Sequence, residues 1–176
     1  MADDLIYNHK KNTNVTSILY NIDKSVNMFT KRIDIYNPEA DETLQKFWIR
    51  IEKAKLLKKN KKRIRVAIFN KDKDLVAFMK SLDKKINETI NSTNSHIENH
   101  GESLELSDAF PPVLELDIDQ QSFVFDNENN KIDFYNIPNG SSISMYIELE
   151  GVYLDNISDF KNWKVLQMKE NIIIDL

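Results

Sequence analysis

The chain has 176 residues, 41% of them hydrophobic, a formal net charge of −4 and no cysteine. That composition fits one globular domain over 1–176 and is too apolar for a disordered chain. Lack of cysteine excludes disulfides, thiolate metal sites and a cysteine nucleophile; no apolar run approaches the roughly 20 residues of a membrane span, and the N-terminus has no signal-peptide layout. The chain therefore reads as soluble and intracellular, with no membrane partner.

In chain order, residues 1–14 read as a loose, polar start. Val15, Ser17 and Leu19 alternate with Thr16, Ile18 and Tyr20, a strand pattern rich in β-branched residues. The stretch 28–36 alternates again before Asn37-Pro38 breaks it. Phe47 to Leu57 can be read as helix or strand. Its β-rich start favours a strand, with Phe47, Ile49 and Ile51 on one face and Trp48, Arg50 and Glu52 on the other. Lys58 to Lys62 is too charged to bury and reads as a hairpin tip. Arg63 to Phe69 returns as a strand with Ile64, Val66 and Ile68 on one side.

Residues 74–90 form the clearest helix, since Leu75, Met79, Leu82, Ile86 and Ile90 recur on one face. Asp72 or Asp74 offers an N-cap. A polar loop, 91–103, follows, long enough to expect mobility. The C-terminal third is a series of short strands. Val113 to Ile118 alternates strictly, Phe123 to Phe125 follows, and turns sit at 126–131 and at Pro138-Asn139-Gly140. Ser142 to Leu154 is long and β-rich with Gly151 as a candidate bulge, and Trp163 to Met168 alternates. Many short strands with one principal helix between them predict an α+β, mainly β, barrel-like domain.

Charge is the most informative feature. Lys46 to Arg65 holds ten Lys/Arg against one acid, Glu52, or +9 in a chain of −4. Glu102 to Phe160 holds thirteen acids and one base, Lys131. Lysine runs are usually solvated faces, but those more often intersperse both signs. A basic stretch with aromatics at its edge suits a polyanion. Binding a single strand needs cations along a phosphate backbone and aromatic faces for bases. Arg50, Lys53, Lys55, Lys58, Lys59, Lys61, Lys62, Arg63 and Arg65 supply the cations. Trp48, between Lys46 and Arg50 on its strand face, is the better stacking candidate, while Phe47 and Phe69 read as core.

Catalytic signals are weak. His96 and His100 share the i, i+4 spacing of a helix face, but they lie in a polar stretch of poor helix potential and lack the zinc-protease pattern. They read as solvated loop histidines. There is no Gly-rich phosphate loop and no Gly-x-Ser-x-Gly elbow. Asp117, Asp119, Glu148 and Glu150 could hold a metal, yet their alternation fits the solvent face of a half-buried sheet. No catalytic residue, metal or cofactor is expected, and the chain does not read as an enzyme.

The order of features also carries a resemblance. The Lys/Arg-rich hairpin leads to Asp74-Leu75-x-x-Phe78-Met79-x-x-Leu82-Asp83-x-x-Ile86. Then come Phe110-Pro111-Pro112-x-Leu114-x-Leu116, Gly151-Val152-Tyr153, and Trp163-Lys164-Val165-Leu166-Gln167-Met168-Lys169. From about Phe47 onward this resembles the single-stranded-DNA-binding proteins of large nucleocytoplasmic DNA viruses, a group distantly similar to phage single-strand-binding proteins of the oligonucleotide/oligosaccharide-binding (OB) fold. The resemblance implies an OB-like barrel that holds displaced single strands during replication or recombination, in a host cytoplasm, viral factory or nucleus. Phage proteins often end in a strongly acidic tail, whereas this chain ends in Ile172-Ile173-Ile174-Asp175-Leu176. That apolar end leaves open pairing in a homo-oligomer. The residues leave DNA against RNA open, as they do whether Trp48 and Trp163 meet bases or core. The alternative reading is a virion or assembly protein whose basic hairpin meets the acidic surface of a neighbouring subunit.

Overall fold

A computed structural model of the protein describes residues 6–7, 32–34, 47–69, 73–93, 97–154 and 158–171. Its strands are β1 (Ile6–Tyr7), β2 (Arg32–Asp34), β3 (Phe47–Lys59), β4 (Arg63–Ile68), β5 (Asn99–His100), β6 (Leu104–Glu105), β7 (Val113–Asp117), β8 (Phe123–Phe125), β9 (Ser142–Leu154) and β10 (Ser158–Glu170), with the helix α1 (Lys73–Thr93) between β4 and β5. The predicted strand at Val15–Tyr20 and the apolar end, 172–176, lie outside the described residues, as does most of 28–36.

Five strands close a barrel. β3 pairs with β4, β4 with β7, β7 with β10, β10 with β9, and β9 returns to β3. All these pairings are antiparallel except β7 with β10, which is parallel through Asp117 and Lys164. This is an OB-like α+β architecture, mainly β.

The β3–β4 hairpin forms because Phe47, Ile49, Ile51, Ala54 and Leu56 all point into the barrel and are fully buried. Strict alternation would put Lys53 and Lys55 inside with them. An irregularity between Ile51 and Ala54 prevents that, and a second between Leu56 and Lys58 does the same for Lys58. Each adds a residue to β3, restores the phase and keeps the lysines outside. At the tip, Asn60 Oδ1 accepts from the backbone N–H of Lys62 and Arg63 at 3.0 and 2.9 Å, which shapes the turn.

Helix α1 lays Leu75, Phe78, Met79, Leu82, Ile86 and Ile90 on the core. Phe78 stacks on Phe47 with ring centroids 6.4 Å apart, and Trp163 meets Phe47 edge-on at the same distance. Burying each such side chain contributes roughly 1.5–3 kcal/mol. The helix starts one residue before the expected 74 and runs past the expected 90 into what sequence reads as loop. The described part of that loop is tied down. Ile97 is buried, β5 pairs parallel with β10, and Gly101 N–H donates to Asp159 O at 3.1 Å. The long strands of the C-terminal third match their sequence pattern. Gly151 adjoins an irregularity at which Glu150 is the extra residue between the Asn162–Gly151 and Trp163–Leu149 pairs.

Candidate nucleic-acid interface

The hairpin tip borders an open groove of about 1050 Å³. Lys61, Lys62 and Arg63 form one wall, and Lys131 to Tyr135 form another. The ends of β7 and β9 and Lys164 of β10 complete it through Asp117, Asp119 and Glu150. The tip is fixed to the barrel because the Ile118 N–H donates to Lys62 O at 2.9 Å. Phe134 and Tyr135 lie in a short 3-10 turn whose start is capped by Asp133. Their rings sit 4.1 Å apart at a tilt of 33°, and Tyr135 is exposed.

The predicted cations divide into two groups. Arg50, Lys53, Lys55, Lys58, Lys61 and Lys62 are exposed. Among the described residues, no acid pairs with Lys55, Lys58, Lys61 or Lys62. Arg50 lies over the Tyr146 ring at 5.8 Å and Lys53 over Phe69 at 5.2 Å. The other group is engaged within the fold. Lys59 Nζ donates to the backbone carbonyls of Tyr135 and Ile137 and reaches that of Phe134, so its charge caps the 3-10 turn. Arg63 pairs with Glu115 at 2.7 Å and Asp117 at 3.0 Å, and Arg65 pairs with Glu105. Burial alone would lower the Arg63 pKa. The charges of Asp117 and Glu115, with their hydrogen bonds, outweigh it and hold the guanidinium above its ordinary value.

The outer face of β4 and β7 is therefore electrically balanced. Arg63 stands across from Asp117 and Arg65 from Glu115 in register. Sequence alone separates these partners by about fifty residues, so the compensation is invisible until the strands pair. Lys164 is matched in the same way: it bonds Asp119 at 2.8 Å, which raises the lysine pKa and lowers that of the carboxyl. Among the described residues, the groove cations left without an acid are Lys61, Lys62 and Lys131.

The aromatics also sort differently from expectation. Trp163 is core, 2% exposed. Trp48 is half-buried on the outer face of β3, and its Nε1 is buried with no hydrogen-bond partner among the described residues. Phe69, expected in the core, is 36% exposed, because it follows the last residue of β4 and lies beyond the buried run Val66 to Ile68. Lys131, Phe134 and Tyr135 are groove residues that sequence reasoning passed over. Their one local signal is an aromatic pair beside turn residues.

Among the described residues no three His, Asp or Glu side chains gather to hold a metal ion. His96 lies outside the described residues. His100 instead places Nδ1 3.0 Å from Asp159 Oδ1 and Nε2 3.0 Å from Asn91 Oδ1, joining α1 to β10. No described helix is long and apolar enough to cross a membrane.

A five-stranded OB-like barrel with a cationic hairpin at the mouth of a surface groove defines the structural class. No protein-family model matches the chain, and no curated protein matches it. Among solved structures it is similar to the single-stranded DNA-binding protein of bacteriophage Enc34, C-terminally truncated, at 13% identity over 73% of this chain and 86% of that one, TM-score 0.52. It is also similar to gp2.5, a single-stranded DNA-binding protein encoded by bacteriophage T7, at 10% identity over 74% and 89% of the two chains, TM-score 0.50. At such identities the likeness is one of fold: the chain has the barrel of these phage proteins.

Proposed function

We propose that the chain binds single-stranded DNA, largely without regard to sequence, and performs no chemistry on it. The observation that carries this is the groove itself. Among the described residues the lysines of the hairpin tip have no acid paired with them, and the Phe134–Tyr135 pair lines the same groove. Phosphates need the first and bases the second. Phage proteins of the same fold are named for this activity. The sequence resemblance to the proteins of large nucleocytoplasmic DNA viruses supports a role in replication or recombination of such a genome.

The cation set proposed for phosphate contact is Lys58, Lys61 and Lys62 with Lys55, Lys53 and Arg50 along β3. Lys59, Arg63 and Arg65 serve the fold first. Titration of fluorescent oligo-dT at several salt concentrations tests the proposal. Binding should weaken with a log–log slope of about −0.7 for each phosphate neutralised. Lys58→Ala/Lys61→Ala/Lys62→Ala should weaken binding and flatten the slope by about 2. Wild-type affinity in that variant would remove the hairpin from the interface. Duplex DNA should bind more weakly than the single strand, and RNA of the same length measures how far the sugar matters.

A further inference from the structure

Strand register aligns a second set of side chains on the outside of the barrel. Arg50 of β3 stands opposite Tyr146 of β9. Tyr146 stands opposite Gln167 of β10, and Gln167 beside Phe123 of β8. Paired residues share a face, so the four form one row across four strands. Cations close it at both ends: Arg50 sits over the Tyr146 ring at 5.8 Å and Lys131 over Phe123 at 5.1 Å. The next row adds Lys169, which stands opposite Ser144 and beside Phe125. Neither row contains an acid, although the exposed Glu52 lies close by at the irregularity in β3.

Three features set this strip apart from a soluble sheet face. Phe123 is 53% exposed, more than a core aromatic at a strand edge requires. The Tyr146 and Phe123 rings each have a cation above them. Lys131 belongs to both the strip and the groove, so the two surfaces are continuous. The β4–β7 face on the other flank of the groove has its arginines occupied by carboxylates.

We propose that a single-stranded polynucleotide leaving the groove at Lys131 continues across this strip, stacking a base on Phe123 and setting its phosphates against Arg50 and Lys169. The assignment rests on the groove binding single strands. Three interstrand steps of about 4.8 Å give the row a width near 14 Å, room for about two nucleotides within the 4–16 that an OB barrel occupies. The strip therefore lengthens the bound segment and does not create affinity for the shortest ligands.

The test compares oligo-dT of about 5 and about 15 nucleotides. Phe123→Ala/Lys169→Ala changes two strip side chains outside the groove and its cation set, and an unchanged thermal midpoint shows that the fold is kept. The variant should bind the short oligonucleotide like wild type, bind the long one about tenfold more weakly, as loss of one stacked base predicts, and occlude about two nucleotides fewer at saturation. Photocrosslinking with 5-iodouracil-substituted oligonucleotide should place an adduct at Phe123 or Tyr146 in the wild type. Equal effects on both lengths, or an unchanged site size with no adduct on the strip, overturn the strip and leave the groove standing. A wild type that binds neither length overturns both.

Discussion

Trp163 and Asp83 are joined through one hydroxyl. The indole Nε1 donates to Ser103 Oγ at 2.8 Å, and that Oγ donates to Asp83 Oδ1 at 2.6 Å. The Ser103 N–H adds a second bond to Asp83 Oδ2 at 2.8 Å. Helix α1 is thus pinned to β10 at the centre of the core. Burial pushes the Asp83 carboxyl from 3.8 up to about 6, against the lowering effect of the two Ser103 bonds. The sign follows directly. A carboxyl with a raised folded pKa contributes stability that is fully present below pH about 4 and is lost as pH rises through about 6. The loss is at most about 3 kcal/mol. Asp83→Asn should remove that dependence, so the difference in melting temperature between wild type and variant should change by several degrees between pH 4 and 7. A constant difference across that range would show that Asp83 does not titrate there.

A second buried cluster joins the same two elements. Lys161 Nζ lies 3.4 Å from Asp159 Oδ2, and both side chains are fully buried. Lys161 Nζ also donates to Asn87 Oδ1 at 2.6 Å and to Gly101 O. Lys161→Met should cost about 3–5 kcal/mol, since it strands a carboxylate in the core. Asp159→Asn/Lys161→Met should recover part of that loss in urea denaturation. Recovery is partial because Lys161→Met also leaves Asn87 Oδ1 and the Gly101 carbonyl without their donor.

Lys59 and Lys61 lie two residues apart and should behave oppositely. Lys59→Met removes the cap on carbonyls 134–137 and should lower stability by about 1–3 kcal/mol, with little change in the salt slope of DNA binding. Lys61→Ala should leave the denaturation midpoint unchanged and flatten the slope. Equal effects of the two on the slope would return Lys59 to the phosphate-binding set.

Arg63 offers a gain-of-function test. Glu115→Gln/Asp117→Asn frees its guanidinium at the edge of the groove and removes two nearby negative charges. Oligo-dT affinity at low salt should rise several-fold and the salt slope should steepen by about 0.7 for one additional phosphate contact. A weaker or unchanged affinity would mean that the β4–β7 face lies off the path of the strand.

The legible part of the fold was the part with local periodicity. The β3–β4 hairpin, α1, β9 and the core of β10 announce themselves through alternation or a 3–4 spacing, and their bounds fall within a few residues of expectation. β5 and β6 have two residues each and owe their existence to partners far along the chain, so nothing local marks them. The candidate site was half legible. Charge density singled out the hairpin, but a sum of charges does not tell a free lysine from one tucked under carbonyls. Arg63, Arg65 and Lys59 look like Lys61 and Lys62 in sequence. Their partners at 105, 115, 117 and 134–137 decide the difference. Phe123 was obscured for the same reason: strand register, not proximity in sequence, puts it in one row with Arg50, and Lys131 lies over its ring.

Strand β10 pairs with β5, β7, β8 and β9, and it is the last of the described strands to be synthesised. While residues 158–170 are still inside the ribosome, β7 and β9 have no shared neighbour and the barrel stands open along one side. The hairpin can form early, but its apolar face has no closed interior to enter. Folding of this chain must therefore wait for its C-terminal part and join contacts far apart in sequence, which places it among the slower-folding topologies. Nascent chains stalled before residue 158 should remain sensitive to protease along their whole length, and protection should arrive in one step when β10 emerges.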